Sequence, residues 1–365
     1  AYYTAANNRA HYTNPAISYG TRARQLIVEA LDSLVAQGFD FDPLSSDGGD
    51  FVYALNVFYA GARVNNWAEG LWPHASSLTT SYQAAPGKKF REYQITNMGN
   101  ELTLGTFCHE NGHMICDFPD FYDYGGESYG AGHYCLMGYG GGNKKNPVHV
   151  SAYLKNEAGW TSSIAPIAPG LTATVSAGQN DFYIYTKSAT EYFIVENRQK
   201  QGRDVSLPDS GLAIWHVDEL GSNNNEQMTP ESHYLVTLVQ ADGDWDLENG
   251  RNYGDSTDLW SAPDYTVCSP YTDPNTNWWD GTPSTLAVEE IGEAGLTMSF
   301  TFNPAGESHV PAEYGTIQAA IDDATNGTQI VLADGVYTGP GNRNLDYQGK
   351  LLFLRSASRD AAMVT

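Results

Sequence analysis

The stretch HENGHMICDFPDFYD, residues 109 to 123, constrains this chain more than any other part of it. His109 and His113 stand four apart, and in a helix residues i and i+4 lie one above the other on the same face. Both imidazoles can then reach a single ion, while Glu110 projects beside it. Cys108 and Ile115 make such a helix partly buried, and two buried histidines next to a glutamate are costly unless something such as a metal satisfies them. Gly112 points the same way: glycine inside a helix costs about 1 kcal/mol relative to alanine, so its presence implies that something approaches closely there. The pattern is that of a zinc site in which the ion lowers the pKa of a water to about 7 and the glutamate takes the proton.

The 43 acidic against 19 basic side chains give a formal charge of -24. Such a charge repels phosphate backbones and anionic headgroups alike, so neither nucleic acid nor a membrane is an expected partner. The acidic excess suits an extracellular protein that holds divalent cations in carboxylate-rich loops, and it equally suits a halophile's solvated surface. At 365 residues, 41% hydrophobic and 12% aromatic, the chain can build two or three domains with substantial cores. No apolar run approaches the roughly 18 residues of a membrane span, and AYYTAANN lacks the regions of a signal peptide, so the N-terminal side is expected to be incomplete. Cys108, Cys116, Cys135 and Cys268 are compatible with disulfides but too sparse for a cysteine-stapled scaffold.

TRARQLIVEALDSLVAQG (21 to 38) carries Ala23, Leu26, Ile27, Ala30, Leu31, Leu34 and Val35 at helical spacing, with Gly38 as a stop. FVYALNVFYA (51 to 60) and KKFREYQIT (88 to 96) predict strands, after which Asn100 can cap a helix from Glu101 to Cys116. Beyond Trp160 the texture changes to short strands between turn residues: LTATVSA, DFYIYT, EYFIVENR, SGLAIWHVD, YLVTLVQA and LTMSFTF. That spacing predicts an all-β domain of the sandwich kind. In ADGDWDLENGRNYGDSTDLW (241 to 260), Asp242, Asp244 and Asp246 fall at alternate positions with Asp255 and Asp258 following, a density that suits a calcium loop without the EF-hand spacing. Solvated turn acids would give the same density. His216 in AIWHVD reads as a core residue of a strand, and His74 and His133 receive no role.

HENGH followed by FPDFYD, then YCLMGYG and VSAYLKNEAGW, resembles the immune-inhibitor-A-type metallopeptidases, secreted zinc proteases related to the metzincins. EYFIVENRQ, GLAIWHVDE and VQADGD resemble the β-domain that follows the catalytic domain there, so the resemblance covers roughly residues 10 to 303. It implies a third zinc ligand six residues after the second histidine, an aspartate in an LPDLYD context. This chain departs from that spacing: six residues after His113 stands Pro119, the aspartate of the PD pair falls at Asp120, and Cys116 occupies the place of the usual glycine. Asp120, which keeps the P-D-aromatic-Y-D context, is the expected ligand, with Asp117 and Asp123 as alternatives. Glu157, a candidate ligand in another class of zinc protease, reads as a helix-surface residue. The resemblance further implies that Met137 forms a tight turn beneath the metal and that Tyr139 stabilises the oxyanion of the tetrahedral intermediate. Cys116 and Cys135 flank the site from either side of this turn, and a disulfide between them would tie it to the helix, although the pairing of the four cysteines stays open.

VPAEYGTIQAAIDDATNGTQIVLADGVYTG, from Val310 onward, resembles the entrance of a pectate-lyase-like parallel β-helix, of which about one and a half coils are present. The expected fold class is therefore α+β: a metzincin-like zinc protease domain over 1–160, an all-β sandwich-like domain over 161–304, and the truncated start of a right-handed parallel β-helix over 305–365. The expected function is that of a secreted zinc-dependent endopeptidase acting on protein or peptide substrates, with calcium as a second metal and a cell-surface or polysaccharide contact through the β-helix. The rival reading is an adhesion protein whose zinc site is vestigial; retention of both histidines and the glutamate argues against it.

Overall fold

The computed structural model describes residues 2–365 except 19, 64–70, 100–101, 143–144, 169, 224–227, 303–305, 326–327, 351 and 359–360. Among the described residues the fold is mixed α+β, with five α-helices, several sheets and no closed barrel. None of these helices is long and apolar enough to cross a membrane. The chain divides into two units: Ala1–Asp120 with Cys135–His149, and Phe121–Tyr134 with Val150–Thr365.

In the first unit, a short helix α1 (Arg9–Tyr12) precedes α2 (Thr21–Ala36). Ala23, Ile27 and Leu31 form the buried stripe of α2, whereas Val35 near its end is 43% exposed, so the apolar face is narrower than the sequence pattern. Gly38 follows at φ +71°, the left-handed conformation that stops a helix. Three strands make the sheet, β1 (Asn56–Ala60), β2 (His74–Ala85) and β3 (Lys88–Met98), in the order β1-β3-β2 with β1 parallel and β2 antiparallel to β3. Of the expected strand at 51–60 only the second half forms; Phe51 and Val52 make single bridges. The sequence pattern does not predict β2, because its serines and alanines dilute the strand preference of Thr79, Thr80 and Tyr82. Helix α3 (Leu104–Cys116) packs on this sheet, with Phe107 stacked on Phe58 of β1 at 5.4 Å between ring centroids. It starts after Thr103, which makes no side-chain cap bond; the expected cap, Asn100, lies outside the described residues.

The second unit runs α4 (Ala152–Glu157), β4 (Ser163–Pro166), β5 (Leu171–Ser176), β6 (Asp181–Thr186), β7 (Glu191–Arg198), β8 (Gly211–Asp218), β9 (Val236–Leu238), β10 (Val288–Glu289) and β11 (Thr297–Phe302). Five strands pair as β4-β6-β7-β8-β9 and three as β10-β11-β5. Phe193, Val195, Leu212 and Ile214 from the larger sheet share a core with Ala173, Val175, Met298, Phe300 and Phe302 from the smaller. Each of these side chains except that of Ala173 contributes on the order of 1.5–3 kcal/mol by leaving water. All eight residues of β7 and all eight of β8 are buried, so a second layer must cover their other face. That layer includes α4: Lys155 forms an ion pair with Glu196, whose Oε2 also accepts from the backbone N–H of Ala152 at 3.1 Å and from Nε1 of Trp215 at 3.1 Å. A charge buried in mid-strand is tolerated here because several donors satisfy it.

Three further strands, β12 (Glu307–Val310), β13 (Gln329–Leu332) and β14 (Phe353–Ser356), lie parallel in that order, Glu307 pairing with Gln329 and Gln329 with Phe353. Between the first two runs α5 (Ile317–Asp323), capped by the Thr316 hydroxyl, which accepts from Ala319 N–H at 3.2 Å. Val310, Ile317, Ala320, Ile321, Ile330 and Leu332 give this segment a small core of its own.

Candidate metal centre

Three side chains of the first unit converge at the end of α3. Nε2 of His109 lies 3.0 Å from Oδ1 of Asp120, Nε2 of His113 lies 3.2 Å from the same oxygen, and the two Nε2 atoms are 3.1 Å apart. The opposite ring nitrogens are committed elsewhere. His109 Nδ1 faces the carbonyl of Leu136 at 3.0 Å, and His113 Nδ1 faces that of Phe118 at 2.6 Å. A carbonyl oxygen only accepts, so each Nδ1 carries a proton, and each Nε2 faces Asp120 with a lone pair when the ring is neutral and with an N–H when it is protonated. With both rings neutral, two imidazole lone pairs and a carboxylate oxygen meet in one triangle and repel one another unless a proton or a cation stands between them. Ligands of a tetrahedral ion with bonds of 2.0–2.1 Å are about 3.3 Å apart, close to the three edges observed. The donor set thus fits a small divalent ion with one position left open, and the backbone carbonyls provide the outer hydrogen bonds that fix imidazole orientation at such sites. The His113 side chain is 24% exposed against 14% for His109 and 8% for Asp120, so approach is easiest past His113.

The same convergence governs the electrostatics. Burial works against a charged His109, but the hydrogen bond to Asp120 and the charges of Glu110 and Asp120 outweigh it and raise the imidazole. Burial would raise Asp120, yet the hydrogen bonds and charges of the two histidines hold it well below the usual carboxylate range. Glu110 is 9% exposed; burial raises its carboxyl, with His109 and His113 pulling it back and the backbone N–H of Ala75 on β2 bonded to it.

Local sequence explains how α3 delivers these groups. The helix closes at Asp117, which adopts φ +53°, and Phe118 N–H returns to the carbonyl of Gly112 at 3.2 Å. This reversal aims Asp120 back at both histidines, whereas Asp117 is left exposed at the cap. Asp123 is taken up by its own loop in the second unit, accepting from Gly125 N–H at 2.7 Å and Ser128 N–H at 3.1 Å. Met137 is fully buried, and a Cβ placed on Gly112 would stand 2.8 Å from its Sδ, which identifies the close approach that the helical glycine implies. Tyr139 sits two residues on, half-buried, its carbonyl accepting from Gly142 N–H at 3.2 Å. No disulfide joins Cys116 to Cys135. Glu157 is exposed at the end of α4. His74 is satisfied by the Trp72 carbonyl and the Tyr93 hydroxyl, and His216 by Glu191 at 3.2 Å, both as core residues. The groups that sequence reasoning missed, the carbonyls of Leu136 and Phe118 and the N–H of Ala75, belong to the backbone and leave no mark in residue type.

Within the 241–260 loop the alternating aspartates take different partners. Asp242, Asp244 and Asp246 do not converge; Asp242 meets Asp255 and Asp258 instead. Alternate residues share a face only in a strand, and here Gly243 at φ +74° and Trp245 at φ +53° turn the chain between them. Asp244 is exposed, and Asp246 accepts from Arg251 at 3.2 Å and Asn252 at 2.6 Å. No protein-family model matches this sequence, and neither does any curated protein.

Proposed function

We propose that the chain is a secreted zinc-dependent endopeptidase of the immune-inhibitor-A type, with a metzincin-like catalytic unit and a tail that begins a parallel β-helix able to contact a surface polysaccharide. The observation that carries the reading is the triangle of His109, His113 and Asp120, whose inward atoms are all lone-pair donors when the rings are neutral. An N,N,O set with an open fourth position is a catalytic rather than a structural zinc arrangement. Zinc, when bound, acidifies a water to a pKa of about 7 and polarises a carbonyl.

The remaining chemistry belongs to the chain. Glu110, beside both histidines on α3, takes the proton of the attacking water and passes it to the leaving amine nitrogen. Its burial and raised carboxyl suit a group that must hold and release a proton in turn. Tyr139 donates to the oxyanion of the tetrahedral intermediate. β2 stands at the edge of its sheet and bonds Glu110 through Ala75, so an extended peptide pairing with this edge would run beside the general base.

Glu110→Gln should keep one equivalent of zinc and lose casein hydrolysis by about 10²–10⁴-fold, the usual contribution of a general base. Activity in the parent chain should disappear with a chelator and return with zinc. Undiminished turnover in Glu110→Gln would sink the mechanism, and zinc binding with no hydrolysis in the parent would favour the adhesion reading.

A further inference from the structure

The second unit holds a different convergence of acids. One carboxylate oxygen from each of Asp242, Asp255 and Asp258 lies within 4.8 Å of the others. Asp258 is 1% exposed. Its Oδ2 accepts from the Tyr134 hydroxyl at 3.0 Å and from Asp255 N–H at 2.7 Å, while its Oδ1, equally buried, has no hydrogen-bond partner. A buried carboxyl oxygen left bare is costly unless a proton or a cation meets it. Among the described residues no lysine, arginine or histidine pairs with any of the three; the charges acting on Asp258 are those of Asp255 and Asp242.

The Thr257 hydroxyl lies 2.6 Å from both Asp242 Oδ2 and Asp255 Oδ1 and can fully serve only one of them, while Asp255 Oδ1 also accepts from Thr257 N–H at 3.0 Å. The Tyr134 hydroxyl lies near both Asp258 Oδ2 and the Asp255 carbonyl, at 2.9 Å from the latter.

We propose that Asp242, Asp255 and Asp258 bind a calcium ion that fastens together the two ends of the 241–260 loop. Every donor at the site is an oxygen, the preference of a hard cation, and zinc or copper would seek nitrogen or sulfur. Calcium takes six to eight oxygens in a flexible geometry that an irregular loop can supply, whereas magnesium demands a near-ideal octahedron. The loop ends already touch where Ala241 N–H donates to the Asp258 carbonyl at 2.8 Å, and two residues on, Trp260 enters the core with Nε1 on the Val239 carbonyl at 2.8 Å. The ion therefore locks the anchorage of a buried tryptophan and stabilises this unit rather than taking part in hydrolysis.

The test uses the full chain, stripped of metal on a chelating resin and reloaded with one equivalent of zinc, then titrated with calcium chloride by calorimetry and by thermal midpoint. One saturable calcium site and a midpoint that rises with calcium are expected. Asp258→Asn and Asp242→Asn should each weaken calcium at least tenfold and abolish the rise, whereas Asp246→Asn should bind as the parent does. Asp242 is half-buried, so its variant remains decisive if Asp258→Asn fails to fold. Absence of a calcium site in the parent, parent affinity in Asp242→Asn, loss in Asp246→Asn, or equal stabilisation by magnesium would each overturn the assignment.

Discussion

Asp120 reaches the two histidines because of how α3 ends. Asp117 takes a left-handed conformation and the helix closes on Gly112. Phe118 then gives its carbonyl to His113, and Asp120 reaches both Nε2 atoms. Asp120→Ala should retain less than a tenth of the parent's zinc by atomic absorption. Asp117→Ala should keep its zinc and pay for it only in fold stability, about 1 kcal/mol for alanine in the left-handed region. A full complement of zinc in Asp120→Ala would remove that residue from the site.

At the scale of the element, α3 is held by two glycines on which other segments rest. Met137 lies against Gly112, and a Cβ on Gly105 would fall 2.1 Å from the carbonyl oxygen of Gly141. Alanine improves intrinsic helix propensity by about 1 kcal/mol, but a clash with backbone cannot be relieved by a rotamer change and overpacking costs about 1–3 kcal/mol or more. Gly105→Ala should therefore lower stability in urea by about 2 kcal/mol and weaken zinc as the helix shifts. A variant as stable as the parent would show that the contact with Gly141 is not tight.

Across the whole molecule, acidic groups set stability from two sides. Burial pushes the Glu248 carboxyl up to about 7, against the hydrogen bonds of Thr237 and Gln240 and with the charge of Asp246. Since its folded pKa lies above the unfolded value of about 4.5, the folded state favours the protonated acid. Its contribution is fully present below about pH 4.5 and is lost as pH rises through 7, on the order of 3 kcal/mol. Glu191 behaves oppositely: burial would raise it, but His216, Lys187 and the Trp279 N–H bring it down to about 2, so its contribution is present above pH 4.5 and lost as pH falls toward 2. Glu248→Gln, which mimics the protonated acid, should flatten the decline in urea midpoint between pH 5 and pH 8. Parallel profiles for parent and variant would exclude Glu248 as its source.

What the sequence determined by itself is what depends on neighbours a few residues apart. The stripe of Ala23, Ile27 and Leu31, the shared face of His109 and His113, the close approach at Gly112 and most strands of the second unit follow from helical or alternating periodicity. Tertiary structure decided the rest. β2 exists because β3 pairs with it, not because HASSLTTSYQAA favours a strand. Glu196 can lie buried in β7 because α4 brings Lys155 over that face. No disulfide joins Cys116 to Cys135 although both fall in the first unit. Asp242 turns away from Asp244 and Asp246 toward Asp255 and Asp258 because two left-handed residues break the alternation. Each of these outcomes joins residues distant in sequence, and such contacts are fixed by the closure of loops and the packing of whole elements, for which a local pattern carries no signal.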